Sequence, residues 1–204
     1  MNEPIAGVIL AGGLARRMGG GDKGLIRLGG KPIVDHVIDR LKPQTDALII
    51  NANGEPSRFA AYGLPVVPDS IEGSAGPLAG VLAGLDWAAE RGFDHVVSAA
   101  TDTPFFPRDL VTRFRAAVMR EGADLVVAAS QGRHHPVFGL WPCTLRQDLR
   151  KALRDEGTRK VDEWTAQHRL AVAHFDARDY DPFFNANRPE DLAEAEDILS
   201  RYSP

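Results

Sequence analysis

The sequence has little of what marks disulfide-stapled, membrane-spanning or nucleic-acid-coating proteins. Its 204 residues include one cysteine, Cys143, which excludes an internal disulfide and gives no metal-ligand spacing. The net charge of −4 argues against a general nucleic-acid or anionic membrane surface. No segment approaches the roughly 20 apolar residues that span a bilayer, and the N-terminus lacks the basic start of an export signal. These absences predict a cytoplasmic protein with neither a nucleic-acid nor a membrane partner.

What remains is ordinary globular composition, with 44% apolar and 25% charged residues. The length favours one domain covering residues 1–204. Apolar runs predict strands, and amphipathic spacing predicts helices between them. The strands are predicted at 5–11, 47–50, 65–67, 95–100, 124–129, 135–141 and 170–175. The helices are predicted at 32–41, 77–91, 107–121, 145–154 and 189–201.

This alternation predicts an α/β fold, a Rossmann-like three-layer sandwich whose mostly parallel sheet carries helices on both faces. In such folds ligands bind outside the carboxyl ends of the strands, so functional residues are expected just after the strands. No internal repeat, linker or low-complexity tract interrupts the pattern.

A glycine-rich segment follows the first predicted strand. Residues 12–24 contain six glycines, two arginines and one lysine. Glycine lets successive backbone N–H groups approach a ligand, and the cations offset negative charge, so the segment predicts a phosphate site. The alternative is a plain flexible loop. A P-loop is excluded because Gly-Lys-Ser/Thr is missing, and the formal G-x-G-x-x-G match at 19–24 begins too far after the strand.

Asp102 stands two residues after the end of the fourth predicted strand and precedes a Thr-Pro-Phe sequence. A carboxylate at the end of a central strand suits Mg²⁺, which binds through one or two carboxylates and completes its shell with phosphates and water. The competing interpretation is that Asp102 caps the helix predicted from Pro107. Paired histidines, His134 and His135, do not suggest a metal site, since neighbours on a strand face opposite ways; they border the substrate site or the sheet edge.

The stretch from Leu10 to Lys23 resembles the signature of the molybdenum cofactor guanylyltransferases, the MobA family of nucleotidyltransferases. Similar stretches occur around Val67-Pro68-Asp69, at Asp102-Thr103-Pro104-Phe105 and in the closing segment from Phe183 to Leu192. The resemblance spans nearly the whole chain and is densest in the first loop. Thr101 and Arg188 depart from the residues usual at these positions in the family.

The resemblance implies an enzyme that transfers GMP from GTP to Mo-loaded molybdopterin with Mg²⁺ and releases pyrophosphate. It assigns catalysis to Arg17, Lys23 and Asp102, with Asp102 as the metal ligand and Arg16 a weaker candidate. It implies that the N-terminal half binds the nucleotide and the C-terminal half binds the cofactor precursor. The binding residues that it implies are Leu10, Ala11, Gly12, Gly13, Lys23, Asn51, Asp69, Asp102, Asn185 and Asn187.

Alternatives remain open at this point. Asn51 and Asp69 are equally typical of Asx turns, and Asn185 and Asn187 equally suit a turn into the last helix. At the level of function, the rivals are a cytidylyl- or sugar-phosphate nucleotidyltransferase and a protein that binds GTP without transfer. The family resemblance further implies contacts with other proteins of molybdenum cofactor biosynthesis and with molybdoenzyme chaperones.

Overall fold

The computed structural model describes residues 3–12, 23–71 and 76–202. Seven strands form its main sheet. In chain order they are β1 (Ile5–Leu10), β4 (Ala47–Asn51), β5 (Val66–Val67), β6 (His95–Ala100), β7 (Leu125–Ser130), β8 (Arg133–Pro142) and β9 (Leu170–Phe175). Two further short strands, β2 (Arg27–Leu28) and β3 (Lys31–Pro32), pair into a separate antiparallel hairpin. The helices are α1 (Ile33–Leu41), α2 (Pro77–Ala89), α3 (Leu110–Glu121), α4 (Arg146–Arg154), α5 (Val161–Thr165) and α6 (Pro189–Tyr202).

The main sheet runs in the order β5-β4-β1-β6-β8-β7-β9. All neighbouring pairs are parallel except the two that β8 makes, with β6 and with β7. The predicted mostly parallel sheet is therefore confirmed, with one antiparallel strand inserted. The register of β1 aligns Leu10 with Asn51 of β4 on one side and with Ala100 of β6 on the other. Three neighbouring strands therefore end at the same level.

Alternate residues of β1 contribute to the two main apolar clusters. Ile5 and Ile9 belong to a cluster that includes residues of α1 and α3, whereas Ala6 and Val8 belong to one that includes residues of α2, α4 and α5. This explains why the first strand reads as an unbroken apolar run, because a strand covered by helices on both sides has no solvent-facing position. The fold is the predicted sandwich.

Three details differ from the sequence-based expectations. The α3 helix begins at Leu110 and not at Pro107, since residues 107–109 form a turn with Asp109 as the N-cap. The β2–β3 hairpin and the five-residue α5 were not predicted, because two-residue strands and a single helical turn carry no periodic signal. Among the described helices, none has both the length and the apolarity needed to cross a bilayer.

Candidate active site

A cavity of about 650 Å³ opens at the carboxyl ends of the parallel strands, where the fold predicts a ligand. Its wall contains residues that end β1, β4 and β6, the first turn of α2, and the start of β8. The residues that line it are Leu10, Gly12, Lys23, Asn51, Asn53, Asp69, Gly76, Pro77, Ala100, Thr101, Asp102, Arg133, His134, His135, Pro136, Val137, Phe138 and Asn185.

Asp102 lies in the turn that follows β6, and its carboxylate opens onto the cavity with 20% of the side chain exposed. Lys23 Nζ lies 3.6 Å from Asp102 Oδ2. The competing role as a helix cap is ruled out geometrically, because α3 begins eight positions later and its N-cap is Asp109. The backbone carbonyl of Asp102 accepts a hydrogen bond from Ala186 N at 2.8 Å, which ties this turn to the C-terminal segment.

Asn185 and Asn187 reach the same centre from a distant part of the chain. Lys23 Nζ donates to Asn187 Oδ1 at 2.5 Å, and Thr103 Oγ1 donates to Asn185 Oδ1 at 2.5 Å. The N-terminus of α6 is capped by a different side chain, since Asp191 Oδ2 accepts from the backbone N–H groups of Asn187 and Arg188. Within the described residues, the side-chain oxygen of Asn187 accepts from the lysine and that of Asn185 from the threonine, and neither caps the helix.

On the β4 side, Asp69 accepts one hydrogen bond on each carboxylate oxygen. Asn51 Nδ2 donates to Oδ1 at 3.0 Å and Asn53 Nδ2 donates to Oδ2 at 2.7 Å, while Asp69 N donates to Asn53 Oδ1 at 2.9 Å. Asn51 Nδ2 also donates to Val67 O at 3.2 Å. These bonds span 16 to 18 residues, so neither Asn51 nor Asp69 forms a local Asx turn; together they join the ends of two strands.

Gly80 lets α2 approach this group closely. A Cβ atom built at Gly80 would collide with the Asn51 side-chain oxygen and lie 2.7 Å from Leu10 Cδ2. The helix therefore packs directly on the ends of β1 and β4. Its first turn contributes Gly76 and Pro77 to the cavity wall, where the N-terminal end of a 13-residue helix adds partial positive charge.

The opposite wall belongs to β8. His135 Nε2 lies 2.7 Å from Ser130 Oγ, which in turn donates to Asp181 Oδ1 at 2.7 Å. Because Ser130 has a single hydroxyl hydrogen and Asp181 accepts it, His135 Nε2 must be the donor to Ser130. The His135 ring also stacks on Phe183 with centroids 4.5 Å apart. Burial, the largest influence, lowers the pKa of His135 below its usual value, against the opposing charge of Asp181.

The structure gathers most, but not all, of the residues singled out from the sequence. Leu10, Gly12, Lys23, Asn51, Asp69, Asp102 and Asn185 line the cavity. Asn187 is not part of the wall but contacts Lys23. Ala11 is buried behind it, with its N–H donated to Asn51 O at 2.8 Å. Gly13, Arg16 and Arg17 fall outside the described residues.

Sequence reasoning missed several polar residues of the cavity wall and its immediate support, among them Asn53, Thr103 and Arg133. Asn53 follows β4 by two residues. The expectation that ligands bind beyond the carboxyl ends of the strands could have identified it. Thr103 adjoins Asp102 and contacts Asn185, 82 residues away. Arg133 begins β8 after a tight turn in which Gln131 has a φ of +48°, and no sequence pattern marked it.

The described residues contain no group of three or more His, Cys, Asp or Glu side chains placed to hold a metal ion. A cation at Asp102 would accordingly need most of its oxygen ligands from a bound substrate and water. That is the coordination typical of Mg²⁺ at phosphate sites.

Comparisons with known proteins identify the family. The model of the MobA-like NTP transferase domain matches residues 7–172. A molybdenum cofactor guanylyltransferase from Bradyrhizobium sp. (strain ORS 278) is 57% identical over 198 residues, covering 96% of this chain and 93% of the relative. A second, from Rhodopseudomonas palustris (strain BisB5), is 55% identical over 198 residues, covering 96% and 94%.

Among solved structures, the molybdopterin-guanine dinucleotide biosynthesis protein A of Archaeoglobus fulgidus superposes with a TM-score of 0.74 at 24% identity, covering 96% of this chain and 99% of that one. At this identity the match speaks for the fold alone. Together with the family model and the relatives, this α/β fold defines a nucleotidyltransferase. The chain belongs to the MobA-like NTP transferase family.

Proposed function

We propose that this protein transfers GMP from GTP to the terminal phosphate of Mo-loaded molybdopterin and releases pyrophosphate. The observation that carries the proposal is the position of Lys23 and Asp102, 3.6 Å apart, between two chemically different walls of one cavity. The curated relatives, at 55–57% identity over nearly the full chain, are molybdenum cofactor guanylyltransferases.

We assign the nucleotide to one side, the nucleotide wall, defined here as Leu10, Gly12, Asn51, Asn53 and Asp69. The guanine base presents adjacent N–H donors on one edge, and a carboxylate is the acceptor that suits such donors. The Asp69 carboxylate is held in place by two asparagine amides and keeps lone pairs free for a ligand. This arrangement supports a preference for GTP over CTP.

The other side, the acceptor wall, is defined as Arg133, His134, His135, Pro136 and Phe138. It offers a guanidinium for a phosphate and apolar surface for a ring system. This division assigns the nucleotide to the N-terminal half of one domain and the molybdopterin to residues of the C-terminal half.

The reaction needs no general base. The attacking phosphate has a second pKa near 6 and is largely dianionic at neutral pH. One of its oxygens forms a bond to the α-phosphorus of GTP. At the same time the bond breaks between that phosphorus and the oxygen that bridges the α- and β-phosphates, and the electron pair leaves with pyrophosphate. Catalysis then depends on positioning and on stabilising negative charge. We propose that Lys23, whose ammonium donates to Asn187 Oδ1, stabilises that charge and that Arg17 assists it.

Asp102 fits a divalent cation. Among the described residues, its carboxylate has only a weak contact with Thr103 Oγ1 at 3.4 Å and the ammonium of Lys23 at 3.6 Å, and Asp102 lines the cavity. We propose Mg²⁺ as the ion, since a hard dication held by one carboxylate and by phosphate oxygens is its typical state. When bound, it would neutralise charge on the triphosphate.

The first test is Asp102→Ala, assayed by pyrophosphate release with GTP and molybdopterin. Loss of a metal-holding carboxylate should reduce kcat by roughly a thousandfold or more. Asp109→Ala, at the N-cap of α3, is the matched control and should retain activity. Near-normal turnover of Asp102→Ala at saturating Mg²⁺ would remove Asp102 from the metal site.

A second assay separates the rival functions. GTP, CTP and ATP are compared as donors, first with molybdopterin and then with sugar phosphates as acceptors. Preference for GTP with molybdopterin is expected. Faster turnover of CTP or of a sugar phosphate would favour the related transferases, whereas GTP binding without pyrophosphate release would favour a protein that only binds the nucleotide.

A further inference from the structure

The structure contains a second, smaller cavity. Its volume is about 290 Å³. Part of its wall follows the Asp102 turn in the chain, and another part precedes Asn185. The lining residues are Arg40, Phe105, Pro107, Arg113, Phe175, Asp176, Arg178, Asp179, Tyr180 and Pro182. None of them was predicted from the sequence as a site residue, and none lines the larger cavity.

The most unusual residue in this cavity is Arg40, on α1. Only 6% of its surface is exposed. Its Nη1 donates to the Phe106 carbonyl at 3.0 Å, but in the described part of the chain no carboxylate pairs with it. The carboxylate that precedes it, Asp39, is bonded to Lys31 Nζ at 2.6 Å. Buried charges in proteins are normally paired, because an uncompensated charge out of water is costly.

The remaining N–H groups of Arg40 are not fully buried. Among the described residues, the fully buried side-chain nitrogen and oxygen atoms that lack a partner are one oxygen of Asp35 and one nitrogen of His168, and no Arg40 atom is among them. Because Arg40 itself lines the cavity, its free guanidinium edge opens into it. The guanidinium presents N–H donors in the fork geometry that matches an oxyanion.

Further arginines surround the same space. Arg113 is held by its donation to His174 O at 2.6 Å and by stacking on the Phe175 ring at 4.3 Å. Arg108 lies close enough to Arg40 that its charge, after burial, is the next influence lowering the Arg40 pKa. Of the two carboxylates in the wall, Asp176 lies 3.8 Å from Arg178, which leaves Asp179 as the main opposing charge.

We infer that this second cavity binds a small phosphate-type oxyanion, with Arg40 as the buried anchor and Arg113 as its second ligand. The inference rests on this cavity and on a buried guanidinium that has no carboxylate partner among the described residues. It is independent of the transferase reaction proposed above. An oxyanion here would lie next to Phe105 and Pro107, which follow Asp102 in the chain, and next to Tyr180 and Pro182, which precede Asn185.

The test measures binding of orthophosphate by calorimetry at constant ionic strength, with chloride as the reference anion. The active-site cavity also attracts phosphate, so the measurements use full-length Lys23→Ala protein as the parent. We expect one bound phosphate in this parent, and about tenfold or weaker binding after Arg40→Gln is added. Arg120→Gln, a change of an exposed arginine on α3, is the matched control and should bind phosphate like the parent.

Two outcomes would overturn the inference. One is unchanged phosphate binding in the Arg40→Gln protein, and the other is loss of all phosphate binding in the Lys23→Ala parent while Arg40→Gln alone retains it. Should Arg40→Gln fail to fold, Arg113→Gln replaces it, with about fivefold weaker binding expected and unchanged binding counting against the site. Pyrophosphate and a phosphate monoester, titrated in the same proteins, distinguish which oxyanion the cavity prefers.

Discussion

The two walls of the active-site cavity are built in different ways. The nucleotide wall stands at the ends of parallel strands, where the register aligns Leu10 with Asn51 and Asn51 with Val67. The acceptor wall stands on β8, the antiparallel strand. There the pairing with β7 shifts between Val127, which faces Gly139, and Ala128, which faces His135.

The shift in register explains the shape of the acceptor wall. It leaves residues 136–138 out of the regular ladder, and all three line the cavity. Pro136 has no N–H to donate, so it is tolerated at such an irregularity. The Val137 carbonyl is satisfied by Ser98 Oγ at 2.6 Å, and Trp141 Nε1 donates to the same hydroxyl oxygen at 2.8 Å.

The comparison shows that a regular sheet edge and an irregular β-bulge can form the two walls of one site. The regular edge fixes the amides and the carboxylate of the nucleotide wall through hydrogen bonds among themselves. The bulge adds the apolar surface of residues 136–138 beside the guanidinium and imidazoles of residues 133–135, which still pair with β7. We expect mutations on the two walls to affect the two substrates separately.

The largest separable effect is expected from Asp69→Asn on the nucleotide wall. Each Asp69 oxygen accepts from an asparagine amide, so an introduced amide group would face another donor and remove the charge. The KM for GTP should rise about 10- to 100-fold, the range expected for losing a hydrogen bond to a charged group. The KM for molybdopterin should stay unchanged.

Steady-state kinetics with each substrate varied in turn provide the check. Asp197→Asn is the matched control, because Asp197 is exposed on α6 and pairs with Arg201. If Asp69→Asn raised the KM for both substrates equally, the proposed separation of the walls would be wrong.

A somewhat smaller effect, on the KM of the other substrate, is expected from Arg133→Gln on the acceptor wall. Removing this guanidinium should raise the KM for molybdopterin about tenfold through loss of one charge-assisted contact to phosphate. The KM for GTP should not change. Arg146→Gln, which begins α4 and does not line the cavity, is the control, and an effect of Arg133→Gln confined to GTP would reverse the assignment of the walls.

The same contrast describes what the sequence could predict. The strands, the parallel sheet and the positions of Asn51, Asp69 and Asp102 follow from apolar runs and from the residues that end them. The acceptor wall does not follow, because the register shift at Ala128 is set by packing between strands and not by a local pattern. The Thr103–Asn185 bond likewise joins residues 82 positions apart.

Gly80 tests how closely the nucleotide wall depends on α2. In Gly80→Ala the new methyl group would collide with the Asn51 side chain, whereas in Gly84→Ala it would meet Val8 Cβ in the core at 3.1 Å. Both changes should destabilise the fold by about 1–3 kcal/mol as overpacking. Only Gly80→Ala should also raise the KM for GTP, since it displaces Asn51. Chemical denaturation and GTP kinetics on both variants check this, and equal KM values would show that Asn51 is not part of the site.

The smallest effect concerns pH and the acceptor wall. Because burial lowers the pKa of His135 in the folded protein, the unfolded chain takes up its proton first as the pH falls. The stabilising contribution of the neutral ring is therefore complete above the unfolded pKa of about 6.5 and is lost as the pH falls toward the lower folded pKa.

In His135→Gln an amide N–H can still donate to Ser130, so the loss of stability between about pH 7.5 and 5.5 should be smaller than in the parent protein. Denaturant midpoints at the two pH values measure it, with His134→Gln as the neighbouring control. His36 and His95 also have lowered pKa values through burial, so part of the acid sensitivity should persist, and an undiminished pH dependence in His135→Gln would show that this imidazole does not titrate as proposed.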